Sequence, residues 1–337
     1  MAGYYYGQLS KEKKAVYDML AAGCDALAAV IRVPDLGTEV LSDIYLRMKL
    51  DLPLLFFVTG FHYRKMPGAD HVEVLPDYLF DRGKVKMHRQ AVTARLERLA
   101  RPLKGKSDRE KELAIHDFIL ENVTYDKLKK SYSHEIIGPL TQGVGVCEGI
   151  AKTVKALCDA VGLPCIVALS EAAPEIGVRY RHTWNVVMVE GQRYHVDATF
   201  DNSLQRGMKR YDYFNLDDKA VFRDHEPLIA PAPACTDGDH FYYKEKKLSF
   251  TKTEEVYKRS RQTAKKNKTL TFHWRGGYLT REVLKELIEL IEKAGAEQNK
   301  TAHIQLNWPQ AVLRIHYTDE RSQAVVTMEE ANEGEES

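Results

Sequence analysis

The chain has 337 residues, of which 44% are hydrophobic and 29% charged, and its formal net charge is +1. That length suits one large domain or two to three smaller ones. A charge so close to zero excludes a global attraction to nucleic acid, membranes or acidic substrates, so any partner must be recognised locally. We therefore expect neither a nucleic-acid nor a membrane partner.

Compartment follows from the apolar runs and the cysteines. The longest apolar run, residues 52–61, is about half of the roughly 20 residues that span a bilayer, and the first residues lack the order of a signal peptide. Five cysteines, an odd number without regular spacing, indicate free thiols in a reducing compartment. The sequence predicts a cytoplasmic protein, unless a leader has been trimmed from it.

The first hundred residues mix helical and strand patterns. Helical spacing of apolar residues occurs in three segments: residues 10–33, 36–50 and 85–105. Two runs are typical of strands: residues 54–63 and 71–80. Ser10 is the expected N-cap of the first helix. Together these patterns predict a helical and strand N-terminal region over residues 1–105.

Another helix is expected to begin at Ser107, with acidic residues in its first turn and an apolar stripe behind them. It carries His116, which we interpret as a surface or packing residue. The helix leads into the chemically most informative part of the chain.

Cys147 opens the next helix. From this residue onward apolar side chains recur at helical intervals until Gly162 supplies a stop signal. Three glycines close to Cys147 permit a tight approach, and the thiol lies at the positive end of the helix dipole, where its thiolate is favoured. Cys147 is also one turn from the apolar Ile150, so position alone leaves a structural and a catalytic cysteine equally open.

A predicted hairpin brings a histidine and a carboxylate together. Residues 182–189 and 192–200 are two runs of strand-forming residues joined by a Glu-Gly turn. A two-residue turn, with Val189 opposite Gln192, places His182 and Asp197 on one face as diagonal neighbours, roughly 7–8 Å apart between Cα atoms. A loop longer by one residue would put them on opposite faces.

Two alternatives compete for these residues. His195 is a rival base, because it lies on the same face two residues before Asp197. A metal site made of Cys147, His182, His195 and Asp197 is disfavoured, since no paired C-x-x-C or H-x-x-x-H supports it. We expect no metal and no cofactor.

The Pro/Ala-rich loop 228–240 is the best candidate boundary in the second half. Beyond it, five segments predict a small α/β appendage: strand-like residues 240–244, 248–250, 269–274 and 311–317, and a helix over 280–295. The basic segment 257–268 is interpreted as a solvated helix face. The resulting division is an N-terminal region (1–105), a core (106–230), an appendage (231–325) and a disordered acidic tail (326–337).

Three segments resemble the motif blocks of the transglutaminase-like superfamily, within the papain-like thiol enzymes: GVGVCEGIAKTVKALCDAVGLPC (143–165), RHTWNVV (181–187) and YHVDATFD (194–201). The resemblance covers about residues 108–225. It implies an α+β fold in which a helix that begins with the cysteine packs on an antiparallel sheet that carries the histidine and the aspartate. It also implies Cys147 as nucleophile, His182 as base and Asp197 as the group that orients the base.

The sequence departs from this resemblance at two positions. Ile150 stands where bacterial members commonly have Tyr, and Phe200 where they commonly have Trp. Trp184, Asn185 and Asp201 are retained, and we expect Trp184 and Asn185 to line the substrate site. The departures conserve bulk, so they bear on the substrate-lining surface rather than on the fold.

The implied chemistry is acyl transfer through a Cys147 thioester on a peptide or protein amide. Oxyanion donors would be the Cys147 backbone N–H and the Gln142 side chain. Resolution by water gives a cysteine protease or amidase, which we favour because no cross-linking partner is evident. Resolution by an amine gives a protein cross-linking acyltransferase. A non-catalytic interaction module that retains the fold is the third possibility.

Overall fold

The structure, a computed structural model, describes residues 3–172, 181–205, 207–319 and 325–331. Its helices and strands do not alternate regularly, and most strand pairs are antiparallel, so the predicted α+β class is confirmed. None of the described helices is long and apolar enough to cross a membrane.

The elements fall into three consecutive sets. Those of the N-terminal region are α1 (Tyr4–Gly7), α2 (Lys11–Asp25), β1 (Ile31–Pro34), α3 (Thr38–Asp51), β2 (Val58–Arg64), β3 (His71–Tyr78) and α4 (Arg82–Ala100). Those of the central part are α5 (Asp108–Asn122), β4 (Thr124–Tyr125), β5 (Val144–Gly145), α6 (Cys147–Val161), β6 (Cys165–Leu169), β7 (Thr183–Val189), β8 (Gln192–Val196), α7 (Ala198–Leu204), β9 (Phe214–Leu216) and α8 (Asp218–Val221). Those that follow are α9 (Tyr242–Glu245), β10 (Ser249–Phe250), α10 (Thr253–Lys266), β11 (Leu270–Trp274), α11 (Arg281–Ala296), β12 (Thr301–Asn307), β13 (Val312–Thr318) and β14 (Val325–Glu329).

The first long helix is shorter than its apolar pattern predicts. Ser10 caps α2 by accepting the N–H of Lys13, as expected. The helix ends at Asp25, however, because Leu27 adopts a left-handed conformation with φ of 56°. The last residues of the predicted helix form β1 instead, which pairs antiparallel with β3. Its alternating burial shows why: every second side chain faces the core.

The central sheet has the order β6-β7-β8-β9 and is antiparallel throughout. Val189 pairs with Gln192, so the predicted hairpin register is confirmed. The second strand stops at Val196, because the Asp197 side chain accepts the backbone N–H groups of Thr199 and Phe200 and starts α7. The strand predicted over residues 192–200 therefore ends four residues early.

Helix α6 packs on this sheet and is also held at its beginning by buried charges. Lys152 is fully buried and contacts Glu135 and Glu148, and Lys49 contacts the same Glu135. Charges so deeply buried need such partners, because removing one member of a buried ion pair typically costs about 3–5 kcal/mol. The network fixes the start of α6 against the N-terminal helices.

A glycine sets how closely the start of α6 approaches the preceding turn. The backbone N–H of Val146 donates to the carbonyl of Ser133 at 3.0 Å. A Cβ on Gly149 would lie 2.1 Å from the same carbonyl oxygen, so only glycine fits there. The loop-to-helix geometry inferred for Cys147 thus depends on Gly149.

The last set forms a five-stranded sheet of order β10-β11-β13-β12-β14 with α10 and α11 beside it. Residues 240–244 were expected as strand, but residues 242–244 belong to the short helix α9. The tail predicted to be disordered from residue 326 is ordered at its start, since β14 pairs parallel with β12 and Glu329 contacts the buried Arg210 at 2.5 Å. Residues 332–337 lie outside the described residues. The domain boundaries near residues 105 and 230 stay predictions.

Candidate active site

Cys147 is the first residue of α6, as the sequence predicts, and only 6% of its surface is exposed. Val146 precedes it at the N-cap position and supplies no side-chain cap. The Sγ atom lies 3.8 Å from the hydroxyl oxygen of Thr183, the residue that follows His182. The thiol therefore sits at an electropositive helix start beside the first residue of β7.

His182 lies just before β7 and is held from several sides. Its backbone carbonyl accepts the N–H of Ser170 at 2.9 Å. Its imidazole ring stacks against Phe200, with centroids 4.4 Å apart, and against Trp184, at 5.8 Å. Nε2 lies 2.6 Å from Oδ2 of Asp197. The carboxylate bond assigns the proton to Nε2, which makes Nδ1 the basic nitrogen.

Asp197 is a fully engaged carboxylate. One oxygen, Oδ1, accepts the backbone N–H groups of Thr199 and Phe200 at 2.9 and 3.0 Å. The other, Oδ2, faces the Nε2 atoms of His182 and His225 at 2.6 and 2.9 Å. Burial raises the pKa of this carboxyl, but the two imidazoles outweigh burial and hold its pKa well below the ordinary range. Asp197 is thus an oriented anion beside His182.

His225 is a residue of this site that sequence reasoning missed. It is buried and lies in the chain that follows α8, and its Nδ1 faces Asp224 at 3.0 Å. Burial lowers the pKa of His225, but Asp197 and Asp224 together raise it above its usual value. No local sequence pattern predicts the contact of His225 with Asp197, because the ring reaches Asp197 only where the chain returns after β9.

His195, the rival base, is committed elsewhere. Its Nδ1 accepts the indole N–H of Trp184 at 2.9 Å, and its Nε2 faces Asp218 at 2.8 Å. Burial lowers its pKa, although Asp218 partly opposes this effect. Both ring nitrogens of His195 are thus engaged by Trp184 and Asp218.

The residues expected to line the substrate have other contacts. Trp184 and Asn185 are each only 1% exposed. The Asn185 amide donates to the carbonyl of Ala151 at 2.9 Å and so ties β7 to α6. The exposed Gln142 has its amide nitrogen 3.3 Å from the hydroxyl of Thr141. Its role as an oxyanion donor stays a prediction, whereas Trp184 and Asn185 pack the domain interior.

The two departures from the family pattern fall at different places. Ile150 is buried in the main core on α6. Phe200 lies closer to His182 than Trp184 or the His225 ring does. Only the second departure, therefore, changes the immediate surroundings of the candidate base.

A second buried histidine–aspartate pair lies close by. His116, on α5, is buried as a packing residue would be, and its Nε2 lies 3.0 Å from Oδ2 of Asp201. Asp201 also accepts the backbone N–H groups of Asp212 and Tyr213. Burial raises the pKa of Asp201 to about 6, in spite of His116. This pair offers a comparison for the first one.

The other four cysteines, Cys24, Cys158, Cys165 and Cys235, are buried free thiols. The side-chain hydrogen bond with Cys165, together with burial, raises the pKa of Cys158 well above its usual value. Burial also raises the pKa of Cys24 to about 11 and that of Cys235 to about 12. These three are inert near neutral pH and serve as internal references for Cys147.

Comparison with known protein families finds a similarity in the central part of the chain. Residues 97–198 match the model of the transglutaminase-like superfamily. This stretch contains Cys147, His182 and Asp197 and supports a cysteine-based enzyme. No curated protein matches the chain.

Solved structures show a remote similarity. A TGase structure shares 13% identity with a TM-score of 0.30, over 54% of this chain and 52% of that one. A candidate cysteine protease from Cytophaga hutchinsonii shares 18% with a TM-score of 0.27, over 42% and 62%. A candidate protease from Parabacteroides distasonis shares 16% with a TM-score of 0.25, over 40% and 35%. The chain thus spans about half of the first of these proteins.

Proposed function

We propose that the transglutaminase-like part of this chain is a thiol hydrolase that cleaves a peptide or protein amide with Cys147 as nucleophile, His182 as base and Asp197 as the orienting carboxylate. One observation carries the proposal. The imidazole of His182 is bonded to a buried, ionised Asp197 and immediately precedes Thr183, whose hydroxyl contacts the Cys147 thiol. These contacts support the nucleophile, base and orienter roles of a thiol triad.

The first half-reaction acylates the thiol. The Cys147 thiol gives its proton to Nδ1 of His182, and the thiolate attacks the carbonyl carbon of the amide, forming a C–S bond while the carbonyl electrons move to oxygen. The tetrahedral intermediate collapses, the C–N bond breaks, and the His182 imidazolium gives its proton to the leaving amine. Asp197 stabilises the imidazolium between these steps.

The second half-reaction releases the acyl group. Water gives a proton to Nδ1 of His182 as its oxygen attacks the thioester carbonyl. The C–S bond breaks and Cys147 leaves as a thiolate, while the product is a carboxylic acid. We favour water because hydrolysis needs no second macromolecular substrate. An amine in place of water would give a cross-linked product and is the alternative.

The negative oxygen of both intermediates needs hydrogen-bond donors. The first N–H groups of an α-helix point out of its beginning rather than to a carbonyl of the same helix, and α6 has no side-chain cap there. The Cys147 N–H therefore belongs to a helix start that faces the reacting sulfur. Loss of one oxyanion donor typically costs about 10²–10³ in turnover, so this helix start is a major part of the proposal.

A peptide library tests the reaction and its direction together. The purified chain and its Cys147→Ala variant are incubated with a proteome-derived peptide mixture in ¹⁸O-water that also contains biotin-cadaverine, and the products are read by mass spectrometry. Hydrolysis predicts ¹⁸O-labelled carboxyl ends with the active chain only. Amine transfer predicts biotin on glutamine side chains instead.

The same experiment can refute the proposal. A library that is unchanged by the active chain, combined with Cys147 that iodoacetamide alkylates no faster than Cys158, would contradict a thiol enzyme and favour the interaction module. Cys158→Ala is the matched control, because it removes a buried thiol from the same helix and should leave hydrolysis intact.

A further inference from the structure

His225 is a buried histidine that the triad does not use but that shares its carboxylate. It contacts the same oxygen of Asp197 as His182 does, at 2.9 Å against 2.6 Å. The two imidazole rings lie 5.3 Å apart between centroids. A charge on a ring this close to His182 affects the protonation of His182.

We propose that His225 is a positioning residue of the active site: as a doubly protonated imidazolium clamped between Asp197 and Asp224, it holds the Asp197 carboxylate in place and offsets part of its negative charge toward His182. The proposal rests on the proposed function, because it assigns a role within the same triad.

The protonation state follows from geometry. Nε2 of His225 faces Asp197 and Nδ1 faces Asp224, at 2.9 and 3.0 Å. A neutral imidazole has a single N–H, so it could donate to only one of these two carboxylates and would turn a lone pair toward the other. Two carboxylate contacts therefore require both nitrogens to be protonated. The raised pKa of His225 agrees with this state.

Hydrogen-bond donors surround the Asp224 carboxyl group. Its Oδ2 accepts the hydroxyl of Tyr213 at 2.6 Å, and its Oδ1 accepts the side-chain amide of Gln310 at 3.2 Å. With His225 added, the carboxylate receives three donors.

The remaining surroundings of His225 are rings. Trp184, Phe200 and Tyr213 lie 4.7, 4.8 and 5.7 Å from it between centroids. The groups whose charge acts on His225 are thus Asp197, Asp224 and His182. Tyr213 is hydrogen-bonded to Asp224. His225 in turn contributes to lowering the pKa of His195. Enclosure by rings keeps water from screening these charges.

This clamp also links the site to the C-terminal sheet. Gln310 lies in the turn between β12 and β13, and besides Asp224 it contacts the carbonyl of Ala220 at 3.2 Å. The guanidinium of Arg223 donates to the carbonyl of Pro309 at 3.2 Å. The turn between β12 and β13 thereby holds Asp224, and through it His225, in position.

The consequence for catalysis has a definite sign. The cation of His225 repels the imidazolium form of His182 and neutralises part of the Asp197 charge that stabilises that form. Both effects lower the pH at which the His182 imidazolium loses its proton. Removal of the cation should raise that pH by roughly one unit, the lower end of the shifts that a charge at 4–6 Å produces.

The test is the rate at which iodoacetamide alkylates Cys147 as a function of pH, read by mass spectrometry on the full chain. His225→Gln keeps an N–H donor for Asp197 and removes the charge, so the upper inflection of the profile should move to higher pH by about one unit. Asp224→Asn keeps His225 and its bond to Asp197 but weakens the imidazolium, and should shift the inflection in the same direction. His116→Gln, a buried histidine paired with Asp201, is the control and should leave the profile unchanged.

The outcomes separate this proposal from the function beneath it. A His225→Gln profile that superposes on the wild type overturns the clamp, and so does a ¹⁵N spectrum in which His225 carries one ring proton at neutral pH. If His225→Gln fails to fold, Asp224→Asn and the wild-type spectrum decide. An alkylation rate of Cys147 that is the same in His182→Ala as in the wild type would refute the triad itself, whatever the result for His225.

Discussion

Asp197 and Asp201 lie one turn apart at the start of α7, both are buried, and both face a buried histidine, yet their pKa values move in opposite directions. Asp197 receives two imidazoles and two backbone N–H groups. Asp201 receives one imidazole and two backbone N–H groups, and the neighbouring carboxylate of Asp212 raises its pKa further. The number of cations and the nearness of a like charge decide the outcome, while burial is common to both.

The comparison shows what distinguishes the candidate catalytic pair from the second histidine–aspartate pair. The Asp197 pair lies beside Cys147, whereas the His116 ring packs against Tyr211 and Phe214 in the interior. A histidine–aspartate contact is therefore not enough to identify a site. The nucleophile beside it and a carboxylate kept ionised are the informative features.

The largest expected effect separates the two aspartates by activity. Asp197→Asn should lower kcat/KM for hydrolysis by about 10³–10⁴-fold, because the amide no longer fixes the tautomer or stabilises the imidazolium of His182. Asp201→Asn should change kcat/KM by no more than about threefold, which is under 1 kcal/mol. The effect is small because its partner His116 packs in the interior rather than beside Cys147. Steady-state kinetics on both variants measures this, and equal losses in the two would break the comparison.

The second prediction concerns stability and pH. A carboxyl whose folded pKa is raised loses stability as pH rises from its unfolded to its folded pKa, so Asp201 should reduce the free energy of unfolding between pH 3.8 and about 6. The shift of 6 − 3.8 = 2.2 units corresponds to about 3 kcal/mol. Asp197 has a lowered pKa, so its contribution is present above pH 3.8 and is lost as pH falls below it.

Urea unfolding across pH 3 to 8 measures both slopes. The free energy of unfolding of Asp201→Asn should fall less than that of the wild type as pH rises from 4 to 6. That of Asp197→Asn should fall less than that of the wild type as pH falls toward 3. Difference curves of the same sign for the two variants would contradict the assigned charge states.

The smallest expected effect comes from the rings next to each histidine. Phe200→Leu removes the ring that stacks on His182 and should slow Cys147 alkylation about 2–10-fold, the equivalent of roughly 0.5–1.5 kcal/mol for an aromatic contact. Phe214→Leu removes a ring beside His116 and should lower the melting temperature without slowing alkylation. A rate loss in Phe214→Leu as large as that in Phe200→Leu would remove the distinction.

Local signals in the sequence were enough for the parts of the site that depend on local structure. The apolar period and Gly162 fix where α6 begins and ends, and the left-handed φ values of Glu190 and Gly191, 51° and 83°, suit the two-residue turn that sets the hairpin register. These two elements single out Cys147, His182 and Asp197 as candidates, and the resemblance to the family supplies their expected roles.

Long-range contacts account for what the sequence could not supply. Asp197 ends β8 as a helix cap, which a strand pattern running on to residue 200 conceals. His225 comes 28 positions after Asp197, and its contact depends on how β9 and α8 return the chain to the site. Likewise, β14 becomes a strand because β12 offers it an edge, although residues 326–329 were predicted to belong to the disordered tail.

The most direct test of the triad is the alkylation rate of Cys147 at neutral pH, measured with Cys158 in the same molecule as reference, in the wild type and in His182→Ala. The account predicts that Cys147 reacts at least about tenfold faster than Cys158, whose pKa is raised by Cys165 and by burial, and that His182→Ala removes most of this advantage. Equal rates for the two cysteines, or a Cys147 rate unchanged by loss of His182, would contradict it.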